Sequence, residues 1–256
     1  AVSFVLRNGG VAQGSPGVSV IVNVFSTAGP YTGQGLLDPM VKISSDLVGV
    51  PSGSAALLIH VPLFTIGSVR QLSPFAGSNN VIIASFNTDV DLVSGTQLTL
   101  SGLTGTATKD TTSLAVVLDG SALTGVWSQG TGTLVVTLPS SVLAQNGPHS
   151  LSVPVVNGAA AQRSPSVRLS ASAKSSDGPF DAPVAAETLV AAGGGLLGVT
   201  NGTDPLALAV AQLTVAQTAQ TTPLASTANT ISLNFSATVD LIESSTLTVQ
   251  GLAAAG

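Results

Sequence analysis

One long stretch of this chain is written twice, and that repetition constrains the fold more than any other feature. NVIIASFNTDVDLVSGTQLTLSGL, from Asn80 to Leu103, returns as NTISLNFSATVDLIESSTLTVQGL from Asn229 to Leu252. Asn80/Asn229, Ile82/Ile231, Phe86/Phe235, Val90-Asp91-Leu92/Val239-Asp240-Leu241 and Gly102-Leu103/Gly251-Leu252 align without a gap at an offset of 149 residues, position 80 to position 229. The same offset pairs residues 1–107 with 150–256 at about 30% identity. The expected organisation is therefore 1–62 as the C-terminal part of one repeat, 63–211 as one complete repeat, and 212–256 as the N-terminal part of the next. Both ends fall inside a repeat, so a section of a longer chain is expected.

Within a repeat the signals are those of strands. Ile82, Ala84 and Phe86 alternate with Val81, Ile83 and Ser85, as Ile231, Leu233 and Phe235 alternate with Thr230, Ser232 and Asn234. The first set keeps its apolar character in both copies and is assigned to the core face; the second varies and is assigned outward. Val81 and Ile83 thereby become candidate assembly contacts. Further strand-like runs are Leu57–Leu63, Phe64–Val69, Ser113–Asp119, Thr131–Leu138, His149–Val156 and Ser166–Ala173, separated by turn residues such as Asn146-Gly147-Pro148. Ser164-Pro165 ahead of Val167, Leu169 and Ala171 reads as a turn feeding an edge strand. Pro183–Val190, rich in Ala, reads as a short helix in a connector that Gly193-Gly194-Gly195 ends. Many short strands predict an all-β fold: tandem Ig-like β-sandwich repeats with a period of about 149 residues.

Composition sets the surface. Only 7% of the residues are charged, far below the roughly 25% of ordinary soluble domains. Such a surface must be hydroxyl-rich, glycan-covered or packed against neighbours. Seven Lys and Arg cannot form a phosphate-tracking stripe, which argues against a nucleic-acid partner. The longest apolar runs fall short of the roughly 20 residues a membrane helix requires, so no membrane insertion is expected. With no cysteine there is no disulfide framework and no thiolate chemistry.

Candidate chemistry is sparse. His60 becomes Ala209 in the second copy, and neither His60 nor His149 has an acid or nucleophile beside it in sequence. Asp89 and Asp91 fall on one strand face, but only Asp91 recurs, as Asp240, which favours a turn-capping role over a Ca²⁺ site. Trp127, Tyr31 and Phe180 are assigned as core or turn anchors over sugar-stacking residues. Asn201-Gly202-Thr203 and Asn234-Phe235-Ser236 match the N-glycosylation sequon, making Asn201 and Asn234 candidate glycan sites. No catalytic residue, cofactor or metal site is assigned.

The series Gln71…Pro74…Asn80-Val81-Ile82, Val90-Asp91-Leu92…Gly95-Thr96…Leu98-Thr99-Leu100-Ser101-Gly102-Leu103-Thr104-Gly105 and Asn157-Gly158…Ala161-Gln162…Ser164-Pro165-Ser166-Val167 resembles very long tandem-repeat Ig-like proteins of microalgae and other protists. Similar β-domain arrays occur in tubular flagellar hairs, the mastigonemes, and in other surface filaments. The resemblance implies a structural, non-enzymatic segment of an extracellular filament, flagellar hair or cell-surface layer. Its partners would be copies of itself or of the same long chain, joined through β-edges and low-charge faces, with glycans attached. The alternative is the stalk of an adhesin whose loops bind glycans or ice.

Overall fold

A computed structural model describes residues 3–25, 32–37, 40–141, 147–174 and 181–252. Tyr31 and Phe180 lie outside these residues. The described chain is all-β. Strands β1 (Val20–Phe25) and β2 (Thr32–Leu37) form a first antiparallel pair, and β13 (Leu213–Gln220) and β14 (Ile231–Ala237) form a last one. Between them, β3 (Phe64–Gln71), β4 (Asn79–Thr88), β5 (Gln97–Ser101), β6 (Thr111–Leu118), β7 (Ser121–Ser128), β8 (Thr133–Thr137), β9 (His149–Val156), β10 (Arg168–Lys174), β11 (Asp181–Thr188) and β12 (Val190–Ala191) join in one ten-strand sheet. Its order is β11-β10-β5-β8-β7-β6-β9-β4-β3-β12.

This sheet curls around a single core. Every strand from β3 to β11 contributes to one buried cluster, from Phe64 and Val69 through Ile82, Phe86, Leu100, Trp127, Leu134, Val153 and Leu169 to Val184. A flat sheet could not bring those side chains together. The run 181–191 closes it: its first part pairs antiparallel with β10, and Val190-Ala191 then pair parallel with Ser68-Val69 on β3. Val184 and Leu189 are both buried although strict alternation would put residues at these two positions on opposite faces. A register shift at Leu169/Ala171 lets both face the core.

Alternation explains β4. Asn80, Ile82, Ala84, Phe86 and Thr88 are buried, while Val81, Ile83, Ser85 and Asn87 are half-buried on the opposite face. Phe86 packs edge-on against Phe64 with centroids 6.0 Å apart. Each fully buried large apolar side chain of this kind stabilises the fold by about 1.5–3 kcal/mol relative to exposure.

The structure corrects three expectations. Pro183–Val190 is strand, because pairing with β10 and β3 outweighs the modest helical preference of its alanines. Strand β10 is interior, bonded to both β5 and β11, so 166–173 is not an edge. Leu57–Leu63 is not a strand and makes only an isolated bridge, Gln13 to Ile59. Strand β7 was not anticipated: its outward Val126 and inward Gly125 blunt the alternation that marks its neighbours.

Candidate functional site: a turn built twice

The residues that recur most strictly around positions 47–53 and 89–91 meet in space. Leu47 and Val50 exchange backbone hydrogen bonds of 3.1 and 2.9 Å, and Gly53 N–H donates to the Val50 carbonyl at 3.0 Å. The central residues Val48 and Gly49 both have positive φ, 52° and 75°. That is the signature of a type I′ turn. For a β-branched valine the conformation is strained, and such strain persists only where surrounding contacts hold it.

The holding contact is Asp91. Its backbone N–H donates to the Val48 carbonyl at 3.0 Å. Gly49 allows this approach, because a Cβ there would stand 2.8 Å from Asp91 Oδ1 and 2.9 Å from Asp91 N. Val50, from the same turn, packs against the central core. Alongside, Leu63 N–H donates to Asp89 Oδ1 at 2.9 Å, and Asp89 N–H donates to the Leu63 carbonyl at 3.2 Å. Residues 47–63 are thus fastened to the turn that follows β4.

The same arrangement is built again one offset further on. Leu196 and Val199 exchange bonds of 3.0 and 2.9 Å, Leu197 and Gly198 have φ of 51° and 78°, and Asp240 N–H donates to the Leu197 carbonyl at 3.0 Å. A Cβ on Gly198 would stand 2.7 Å from Asp240 N. Thr238 replaces Asp89 and keeps the same role, accepting from Gln212 N–H through its hydroxyl at 3.0 Å. The recurring Asp91/Asp240 is a turn residue at both positions.

Substituting Gly198 by Ala tests this joint. A left-handed φ costs an L-residue about 1 kcal/mol, and the clash with Asp240 adds to it. Hydrogen exchange at the Asp240 amide is expected to accelerate at least roughly fivefold, while the denaturation midpoint of the central unit holds within about 0.5 kcal/mol. An unchanged Asp240 amide would show that the turn is not what fastens residues 238–240.

The remaining candidates fall elsewhere. His60 Nε2 lies 2.8 Å from Asp89 Oδ2 at the joint, and His149 Nδ1 lies 2.7 Å from Asp119 Oδ2 beside Phe86. Folding therefore gives each histidine an acid partner that sequence proximity did not reveal. Among the described residues no three His, Asp or Glu side chains gather in one place. Trp127 is 1% exposed and donates through Nε1 to the Thr108 carbonyl at 3.0 Å, so it is a core anchor. Val81 and Ile83 lie half-buried on the outer face of β4, Val81 in a shallow apolar groove with Leu72, Leu114, Pro154 and Val156. Asn201 is exposed at a turn with φ of 56°, and Asn234 is exposed on β14. Neither lines the Val81 groove.

Among the described residues, three buried amides form a densely bonded set. Gln71 donates through Nε2 to the carbonyls of Gly202 and Ala207, each at 2.9 Å, and its Oε1 accepts from Leu206 N–H and Asn80 Nδ2 at 2.8 Å. Asn80 Nδ2 also donates to Asn157 Oδ1 at 2.9 Å, and Asn157 Nδ2 donates to the carbonyls of Ser73 and Phe75. All three amides are at least 96% buried, with exposures of 1%, 4% and 0%. The signal was present, since Gln71/Gln220, Asn80/Asn229 and Asn8/Asn157 all recur.

The described residues form an all-β fold. A scan against protein-family models gives no match, and searches of curated proteins and of solved structures give none.

Proposed function

We propose that this chain is a structural segment of an extracellular filament or cell-surface layer, built from tandem Ig-like β-sandwich repeats. The observation that supports this is the joint itself. A strained I′ turn, its glycine and an Asp amide meet in the same way at residues 47–91 and at 196–240. Joints of one geometry give successive units one rotation and one translation, which is what a rod requires. The low charge of the chain suits lateral packing between rods and supplies few gatekeepers against it. Glycans on Asn201 and Asn234 belong to the same reading.

Electron microscopy of concentrated material tests it: fibres or sheets with a single axial spacing are expected. A dispersed monomer at every concentration would remove the proposal. Peptide mass mapping of native material checks the two sequons directly, with hexosamine-containing peptides expected at Asn201 and Asn234.

A further inference from the structure

The turn at 196–202 borders a cleft that takes in one of the two sequons. Asn201 opens on a cavity of about 410 Å³ between residues 162–164 and 199–208. That size lies toward the lower end of the range that holds small ligands. The floor is apolar: Val199 is half-buried, and Ala207 and Leu208 are buried. The rim is polar and carries Arg163, Thr200 and Asp204. Asn201 stands on that rim in a fixed pose. Its φ of 56° is a left-handed conformation that asparagine tolerates better than most residues. Gly202 N–H donates to the Val199 carbonyl at 3.0 Å, and Asp204 N–H donates to the Asn201 carbonyl at 2.9 Å. Asp204 is oriented in turn, its Oδ1 accepting from Gly193 N–H at 2.7 Å.

The polar rim and the sequon arrive together. At the positions 149 residues earlier, Gly14, Pro51, Ser52 and Ala55 stand in place of Arg163, Thr200, Asn201 and Asp204. The apolar floor is kept there, with Val50 and Ile59 in place of Val199 and Leu208. Where the asparagine is missing, the charged donor and acceptor of the rim are missing too. A sheet packed alongside does not cover this place. The turn at 47–53 lies against the ten-strand sheet through Val50 and Asp91. Even so, Pro51 is exposed, and a Cβ on Gly14 would meet nothing within 4 Å.

We infer that this cleft seats the first sugar of a glycan on Asn201, an N-acetylhexosamine joined through its C1 to Asn201 Nδ2. The inference rests on the reading of Asn201 as a glycan site and concerns where the attached sugar lies. Attachment exchanges one Nδ2 proton for the sugar C1, and the diphosphate of an activated sugar donor leaves. The chemistry of that sugar fits the lining. Its acetamide methyl suits the floor of Val199 and Leu208, and its acetamide carbonyl accepts from the Arg163 guanidinium. Its N–H and hydroxyls donate to the Asp204 carboxylate. A sugar tethered by one side chain has an effective concentration at the cleft on the order of mM or more, so weak contacts hold it. Seated there, it braces residues 199–208, the segment whose Gly202, Leu206 and Ala207 backbone groups bond Gln71.

The test compares one sequence in two forms. The chain carrying Ser236→Ala, which removes the other sequon, is secreted from a eukaryotic host and trimmed by an endoglycosidase to a single N-acetylglucosamine. The same chain made in bacteria carries no glycan. Hydrogen exchange is read at the Asp204 and Leu208 amides, which donate to the Asn201 and Gln162 carbonyls. Exchange there is expected to be at least roughly fivefold slower in the single-sugar form. Arg163→Ala, at an exposed position, should bring that protection below about twofold while amides of β4 and β9 keep their rates. Free N-acetylglucosamine at about 1 mM should leave the bare chain unprotected. Full protection by the free sugar would make the cleft a site for foreign saccharides and overturn the assignment. Equal exchange in the two forms, with peptide mass mapping showing Asn201 occupied, overturns the seat and leaves the glycan reading in place. Protection that survives Arg163→Ala does the same. A secreted chain whose Asn201 carries no hexosamine overturns both.

Discussion

Gln71→Leu is expected to destabilise the central unit by about 3–5 kcal/mol, one of the two largest effects of any single substitution here. Leucine is close to glutamine in size, so the loss is not a cavity. It strands the Leu206 N–H, the carbonyls of Gly202 and Ala207, and one hydrogen of the Asn80 amide. Each buried group left without a partner costs about 1–3 kcal/mol, and the total is capped because 202–207 can lift away and hydrate. The prediction is therefore double. Urea denaturation should show the lowered midpoint, and the Leu206 amide should exchange far faster than amides of β4 and β9. A midpoint shift below about 1 kcal/mol would show that the network is interchangeable with apolar packing.

Trp127→Ala is expected to cost a similar amount, about 3–5 kcal/mol, by a different route. Trp127 is among the largest fully buried side chains, lies opposite Leu134 on β8, and bonds the Thr108 carbonyl. Alanine leaves a large void that the sheet, closed around its core, cannot collapse to fill. Trp127→Phe should recover more than half of the loss, because it restores volume but not the indole hydrogen bond. As Trp127 is the only tryptophan, native fluorescence should be blue-shifted and resistant to acrylamide quenching. Ready quenching would place the indole at the surface and reopen sugar stacking in the adhesin alternative.

The two predictions differ in how far the sequence announced them. Trp127 was readable as a core anchor from residue type alone, since a large aromatic in an aromatic-poor β chain has few other places to go. The Gln71–Asn80–Asn157 set was visible only as recurring letters. Nothing local says that an amide on β3 will bond carbonyls more than 130 residues away. The faces of β4 were legible because strand side chains alternate with period two. The joint was legible in part: Leu47, Gly49, Val50 and Asp91 recur, but their meeting depends on the 47–50 turn reaching the loop after β4.

Errors followed the same boundary. Residues 183–190 have no strong local preference, and tertiary pairing with β10 and β3 decides their state. Edge or interior is a property of neighbours, so 166–173 could not reveal that β5 and β11 flank it. The acid partners of His60 and His149 arrive from 29 and 30 residues away.

The sequence by itself determined the all-β class, the inward and outward faces of β4, and the glycine and aspartate of the joint. These depend on periodicity and backbone conformation, which act over a few residues. Tertiary structure alone decided the strand order, the closure by 181–191, the buried amide network, and which apolar faces are covered. Those are contacts between segments far apart in the chain, and their energies exist only once the ladder has brought the partners together.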